Sequence, residues 1–392
     1  MAANNRIFYA CQQVGLKPDG DRTNAFAALH GVQSVGITTN FNLSQVFELG
    51  QISIYENIED IPDVEVSMTK VLDGTAPIYC MATRGASSPT LSGRQNQKSV
   101  FALGIWPDTN DSANGTPNSQ VECSGMFVSS LAYNFPLEDN FTDDFTLVGN
   151  DKIWAHNDCA MTDMGVWNTG YFAVPSQIAA NNDQPYAETG DNASSLGGIN
   201  RRENMLFSPD SGTSASAAGV DYTKLPTDIP GVVTNGVKNP ECHVQSITVS
   251  TDFGREELFE LGSRQPYSRV VTFPVEVTTD IEVLSVSGDM INALSDGCGA
   301  TTGCAGVVDN LSNQEIVIAA CEGTRISAGT KNKLASVNYG GGDAGGGNVT
   351  VTYSYTTFND FTVMHPLDPA PLWDWSQRVC SGWLGANDAT RV

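Results

Sequence analysis

A stretch of 31 residues occurs twice in this chain. Val32 to Pro62 reads VQSVGITTNFNLSQVFELGQISIYENIEDIP, and Val244 to Pro274 reads VQSITVSTDFGREELFELGSRQPYSRVVTFP. The offset is a constant 212 residues without a gap, and 11 of the 31 positions are identical. They are Val32/Val244, Gln33/Gln245, Ser34/Ser246, Thr39/Thr251, Phe41/Phe253, Phe47/Phe259, Glu48/Glu260, Leu49/Leu261, Gly50/Gly262, Tyr55/Tyr267 and Pro62/Pro274. Others are like for like, such as Val35/Ile247, Ile37/Val249, Asn40/Asp252 and Val46/Leu258. Identity at this level marks a duplication, so the chain must fold as two similar modules.

The repeat opens with residues of mixed strand pattern rich in β-branched side chains, Val32 to Thr39. Asn40 and Asp252 follow as N-cap candidates. The segments Leu43 to Leu49 and Glu256 to Leu261 read as a short amphipathic helical turn, with Gly50 and Gly262 where a helix C-cap needs positive φ. A second strand of strict period two follows Pro62 and Pro274. Val64, Val66 and Met68 face one way and Glu65, Ser67 and Thr69 the other. In the second copy Val275, Val277, Ile281 and Val283 alternate with Glu276, Thr278, Asp280 and Glu282. One face is apolar and the other carries carboxylates.

Further repeat-like identity lies in Asp144-Phe145-Thr146 and Asp360-Phe361-Thr362, at an offset of 216. The expected organisation is a first unit over residues 1–155, an unmatched insertion or arm over 156–200, a second unit over 201–370 and a tail over 371–392. A short helix is expected over Thr23 to His30, and exposed loops over Gly85 to Asn96 and Asp108 to Gln120. Strands are expected at Val100 to Trp106, in a pair across 121–149 turning at Pro136 to Asn140, and at Ile316 to Cys321 and Val349 to Thr356. The fold class is therefore mainly β: two tandem β-sandwich or barrel units, each with a short helix.

Charge narrows the function. Forty-four acidic residues against 20 basic ones give a net charge of −24. Gripping nucleic acid is driven by Lys and Arg, so this balance argues against a nucleic-acid binder. An acidic wall past which nucleic acid slides is compatible with this balance. The N-terminus lacks a basic start and apolar core, and no apolar run is long enough to span a bilayer, so cytoplasmic synthesis without a membrane is expected. Nine scattered cysteines suit free thiols; Cys298 and Cys304 flank a short loop, and whether they bond is open.

Candidate chemical sites were weighed and set aside. Asp210 to Ser216 resembles half of an aspartic protease dyad, but no second Asp-Thr/Ser-Gly is present. It also resembles a subtilisin-like serine segment, but His30 leads straight into the repeated strand, with no suitable Asp before it. The four histidines are His30, His156, His243 and His365; Cys242 and His243 are adjacent, which is wrong for two ligands on one metal, and no Cys-x-x-Cys occurs. Glu59-Asp60 with Asp63, and Glu138-Asp139 with Asp143-Asp144, lack a calcium loop and read as solvated loops. Gly340 to Gly347 lacks a following Lys-Ser/Thr and reads as a hairpin loop. Trp373, Trp375 and Trp383 read as docking residues of the tail. The expectation is no catalytic residue, no cofactor, no metal and no enzyme.

At the repeat the chain resembles tail tube proteins of tailed bacteriophages. The resemblance rests on Ser250 to Gly262, the strand Phe273 to Val283, Ile58 to Gly74, and Leu225 to Gly231. It implies a small β-sandwich with a helix and a long hairpin, whose copies close into stacked rings around a bore for DNA. It implies a virion protein made in the host bacterial cytoplasm, with tail partners such as terminator, baseplate or sheath. Two units per chain depart from the single-unit pattern, so a ring would hold three chains, or alternatively six. Glu276, Asp280 and Glu282 would face the lumen. The alternative is another virion structural part: baseplate or neck ring, sheath, or capsid decoration protein.

Overall fold

A computed structural model describes residues 7, 9–19, 25–73, 75–86, 88–105, 117, 119–156, 166–167, 199–207, 222–233, 236–238, 242–263, 266–291, 312–320, 323–341 and 347–365. The chain is mainly β and antiparallel. The first half contains β1 (Gln12–Pro18), β2 (Ala25–Ala28), β3 (Val32–Asn40), β4 (Leu43–Phe47), β5 (Ile54–Glu59) and β6 (Asp63–Val71). It continues through α1 (Ile78–Ala82), α2 (Leu91–Arg94), β7 (Ser99–Ile105), β8 (Ser119–Pro136), β9 (Thr142–Gly149), β10 (Ile153–His156) and β11 (Val166–Trp167). The second half contains β12 (Val232–Val233), β13 (Val237–Lys238), β14 (His243–Asp252), β15 (Arg255–Leu258), β16 (Ser268–Val271) and β17 (Glu276–Leu284). Then come β18 (Val317–Ala319), β19 (Arg325–Ser327), β20 (Lys333–Gly340), β21 (Thr350–Phe358) and β22 (Thr362–Met364).

The central feature is a run of neighbours in the order β3-β6-β9-β8-β14-β17-β21-β20. Its two halves pair alike. In β3–β6, Val35 faces Met68 and Ile37 faces Val66, with a bulge between Val32 and Ser34. In β14–β17, Ile247 faces Ile281 and Val249 faces Thr279, with a bulge between Val244 and Ser246. In β8–β9 the bulge lies between Val128 and Ser130, and in β20–β21 between Leu334 and Ser336. The outer strands recur too: Trp154 faces Val121 in β10–β8, and Thr362 faces Ser327 in β22–β19. Bulges twist a strand and pin its register, so shared bulges give the two halves the same local bend.

The pairings set the offsets more firmly than the letters do. Leu43 faces Glu59 and Gln45 faces Asn57 in β4–β5, just as Arg255 faces Val271 and Glu257 faces Arg269 in β15–β16, an offset of 212. The next strand is one residue further out, because Met68 corresponds by its partner to Ile281. By partner, Phe145 of β9 corresponds to Tyr353 of β21. The match of Asp144-Phe145-Thr146 to Asp360-Phe361-Thr362 is therefore out of step. The first triplet lies within β9, and Asp360 and Phe361 lie in the turn before β22.

Several sequence readings are corrected. The expected helical turns at Leu43 to Leu49 and Glu256 to Leu261 are β-hairpins, β4–β5 and β15–β16. Gly50 and Gly262 do have positive φ, 98° and 94°, but at hairpin tips rather than at helix ends. Asp252 caps no helix; its Oδ1 accepts the Gly254 N–H at 2.9 Å in the turn into β15. Ala25 to Ala28 is strand β2, held by Gly15 facing Ala28, because the neighbouring strand overrides alanine's helix preference. Part of the loop expected over Gly85 to Asn96 is α2, capped by Thr90, whose Oγ1 accepts the Gly93 N–H at 3.3 Å. The helices α1 and α2 belong to the first half; among the described residues the second half has no α-helix.

Each long strand buries one face. Val64, Val66, Met68, Phe145, Leu147, Leu131, Tyr133, Ile247, Val249, Val277, Ile281, Tyr353 and Tyr355 form one continuous core across both halves. Below it in the first half lie β1, β2, β7 and the first part of β8, and in the second half the small sheet β18-β19-β22. The strand β11 runs parallel to β2, with Val166 facing Ala25.

Candidate functional site

The face opposite the core is polar throughout its middle. It presents Ser34 and Thr38 of β3, Glu65, Ser67 and Thr69 of β6, Asp144 and Thr146 of β9, and Ser130 and Asn134 of β8. It continues with Thr248, Ser250 and Asp252 of β14, then Glu276, Thr278, Asp280 and Glu282 of β17, and Thr352, Ser354 and Thr356 of β21. Glu276, Asp280 and Glu282 alternate with buried Val277, Thr279 and Ile281, so they lie on this face and not in the core. Period two in strands explains the arrangement: burying one row leaves the alternate row to solvent. A trough of about 810 Å³ runs along this face, lined by Ser67, Thr69, Asp144, Ser250, Asp252 and Glu276 among others.

Hydroxyls and an amide hold two of its carboxylates, Asp144 and Glu282. Thr69 Oγ1 donates to Asp144 Oδ1 at 2.7 Å, and Asn134 Nδ2 donates to Asp144 Oδ2 at 2.8 Å. Ser246 Oγ donates to Glu282 Oε2 at 3.1 Å. Lys333 stands at the β20 end of the face. The result is an anionic, hydroxyl-rich surface.

The two halves meet where β8 pairs with β14. Ser130 faces Asp252, Leu131 faces Thr251, Ala132 faces Ser250, Tyr133 faces Val249 and Asn134 faces Thr248. The hairpin β15–β16 then reaches across this seam onto the first half. Arg255 donates to Val128 O and Gln95 O, both at 2.7 Å, and stacks 4.9 Å from the Phe127 ring. Burial pulls its guanidinium down to about 10. Arg269 pairs with Asp63 at 2.8 Å and with Glu257. Phe253 stacks on Tyr79 with centroids 6.1 Å apart.

The outer strands of this run are β3 and β20, each paired on one side only among the described residues. The hairpin β4–β5, unlike β15–β16, is exposed along its whole length. It displays Phe47, Leu49, Ile52 and Tyr55.

The other sequence candidates are dispersed. His243 is exposed on β14, while Cys242 is buried. Glu138 and Asp139 lie exposed in the β8–β9 turn. Asp63 is ion-paired to Arg269, with its own side chain still reaching solvent. Asp143 also departs from the loop reading: it is fully buried, and its Oδ2 accepts the Ile78 N–H at 2.7 Å, at the start of α1. Burial pushes its carboxyl up to about 7. No short-range pattern marks it, because its partner lies 65 residues away. His30 Nδ1 meets Asp73 Oδ2, and buried Lys70 binds Asp73 Oδ1 at 3.0 Å. Burial opposes ionised Asp73, but His30, Lys70 and Thr75 outweigh it and hold that carboxyl well below the usual range. Burial takes His365 down to about 3. Among the described residues no group of three His, Cys, Asp or Glu side chains is placed to hold a metal, and no helix is long and apolar enough to cross a membrane. Asp210 to Ser216, Cys298, Cys304, Trp373, Trp375, Trp383 and the His156 side chain lie outside the described residues.

No family model and no curated protein matches this chain. Among solved structures it is similar to a chain of the anti-feeding prophage baseplate, 9% identical with a TM-score of 0.31, over 40% of this chain and 100% of that one. It is similar to a chain of the sheath–tube complex of PVC, an extracellular contractile injection system, 12% identical with a TM-score of 0.29, over 40% of this chain and 95% of that one. An Hcp protein matches at 8% identity and a TM-score of 0.22, over 37% of this chain and 98% of that one.

Proposed function

We propose that this chain is a structural subunit of a phage-type tail, a tail tube protein whose copies close into rings and stack around a bore for DNA. In this reading the chain is two fused copies of one β unit, residues 1–155 and 201–370, joined by an arm and followed by a tail. The observation that carries it is the eight-strand run β3-β6-β9-β8-β14-β17-β21-β20, whose halves share registers and bulges. A sheet whose internal seam joins two such halves has outer edges suited to extending the same series. Closure into a barrel removes the open edges that otherwise invite disordered association.

Three chains would then supply six units around the ring. The apolar face of the run is spent on each unit's own core, so the polar face turns to the bore. Its Asp and Glu side chains repel phosphate, and its Ser and Thr hydroxyls bring no positive charge to hold DNA. The protein acts by shape and charge, without a catalytic group, and its partners are further copies and other tail components in the virion.

Electron microscopy of purified full-length protein, with mass measurement of isolated rings, tests this. Hollow rings of three chains that stack into tubes are expected. Rings of six chains would reject the stoichiometry alone, single rings that never stack would favour a baseplate or neck role, and particles without a bore would sink the conduit reading.

A further inference from the structure

The β8–β14 seam pairs, inside one chain, two strands whose counterparts are the outer edges β20 and β3. Following partners through the sheet, β14 corresponds to β3 at an offset of 212, since Ile247 and Val35 face Ile281 and Met68. By the same route β8 corresponds to β20. Leu131 faces Phe145 and Val337 faces Tyr353, and the bulges Val128/Ser130 and Leu334/Ser336 coincide. Two identical residues show the consequence. Tyr133 at the seam is 0% exposed, and its counterpart Tyr339 on β20 is 50% exposed. Phe253 beside the seam is 2% exposed, and its counterpart Phe41 beside β3 is 71% exposed. Each edge thus keeps an aromatic residue of a kind that the occupied seam buries. The occupant that fits is a second copy of this chain.

We propose that β20 of one copy pairs antiparallel with β3 of the next in a register fixed residue by residue. Ser336 lies opposite Asn40, Val337 opposite Thr39, Asn338 opposite Thr38, Tyr339 opposite Ile37, and Gly340 opposite Gly36. The β4–β5 hairpin of the second copy then lies over the seam as β15–β16 does over the internal one, and Phe41 is buried against its neighbour. The chemistry of this second seam differs from the first. Arg255 is replaced by Leu43, Arg269 by Asn57 and Glu257 by Gln45, while Glu59 stands where Val271 does, so the hairpin lands without the two arginines that seat its twin. This proposal rests on the ring reading above and adds to it the strands, the register and the clamp.

The test uses full-length protein carrying Thr38→Cys with Asn338→Cys, oxidised after assembly and run on a non-reducing gel. The parent and both single variants measure the background from the nine native cysteines. The expected product is a covalently closed ring of chains, abundant only in the double variant. A slipped pair, Thr38→Cys with Tyr339→Cys, places the thiols on opposite sheet faces and stays uncrosslinked. Equal crosslinking of both pairs, or none in a preparation that microscopy shows to be ringed, overturns the register and leaves the conduit reading standing. Absence of rings in the parent overturns both. Should the cysteine variants fail to fold, Phe41→Ala decides: it is expected to raise the protein concentration needed for ring formation about tenfold or more. An unchanged assembly midpoint would show that Phe41 is not buried between copies.

Discussion

The two hairpins of this molecule are near-duplicates in letters and opposites in environment. Both follow a strand of the polar-faced run, both pair in one register, and both turn through a glycine at positive φ. Yet β15–β16 is seated on the first half by Arg255, Arg269 and Phe253, while β4–β5 stands free with Phe41, Phe47 and Leu49 in solvent. The difference teaches what an identical residue is for. Phe253 is core because Tyr79 of the first half lies against it; Phe41 is exposed, and under the proposal above a second copy would cover it. The tips separate a second layer of contacts. Leu49 and Leu261 are both fully exposed, so seating the base of a hairpin does not cover its tip.

The comparison breaks most directly by truncating the twins. Phe253→Ala is expected to cost about 3–5 kcal/mol of folding stability, the usual loss for a large buried aromatic. Phe41→Ala in dissociated protein is expected to stay within about 0.5 kcal/mol of the parent. Denaturant titration of both variants at low protein concentration measures this; equal losses would show that the two sites are equally buried in the lone chain.

A second contrast separates the halves by pH. Asp143 of β9 corresponds by its partners to Val351 of β21, so one buried carboxyl exists where the other half has a methyl-bearing side chain. With a folded value of about 7 against an ordinary 3.8, folded protein holds the proton more tightly than unfolded protein. Stability contributed by Asp143 is therefore present below about pH 4, falls as pH rises toward 7, and stays lost above it, at about 1 kcal/mol per pH unit within that window. Asp143→Asn keeps an acceptor for the Ile78 N–H and should flatten this slope. Denaturation midpoints between pH 4 and 8 check the sign; an unchanged slope in the variant would assign it to other groups.

Smaller effects sharpen the contrast between the charged seam and the neutral edge. Arg269→Ala removes the partner of Glu257 and Asp63 and is expected to cost about 1–3 kcal/mol, reduced because both carboxylates reach solvent. Asn57→Ala, at the matching place on β4–β5, is expected to change stability by less than about 0.5 kcal/mol. Equilibrium unfolding of the pair decides it. Least of all, added salt should modestly favour assembly, because it screens the repulsion among chains of net charge −24, and the arginines of the internal seam have neutral counterparts, Leu43 and Asn57, on β4–β5. Light scattering across a salt series reports the direction, and dissociation by salt would point to ion pairs at the seam between chains.

Much of the strand framework was legible locally. Val64-Glu65-Val66 and Val275-Glu276-Val277 alternate so strictly that one face had to be buried and the other wet. The hairpins were not legible, because a seven-residue window such as LSQVFEL fits a helical turn as well as a strand, and only the partner strand decides. Asp143 misled for a related reason: in a run of acids it looks solvated, and its burial depends on α1 folding over β9. The Asp-Phe-Thr triplets misled because short identities arise by chance, whereas hydrogen-bonded registers do not.

By itself the sequence determined that a strand–turn–strand segment is stated twice, that its strands have one apolar and one acidic face, and that the chain is strongly anionic. These are properties of neighbours along the chain, and local sterics and solvation suffice to set them. Only the tertiary structure decided that β8 and β14 join the halves into one run, and that Phe253 is covered while Phe41 is not. Burial is a property of what arrives from elsewhere, and two identical letters carry no record of it.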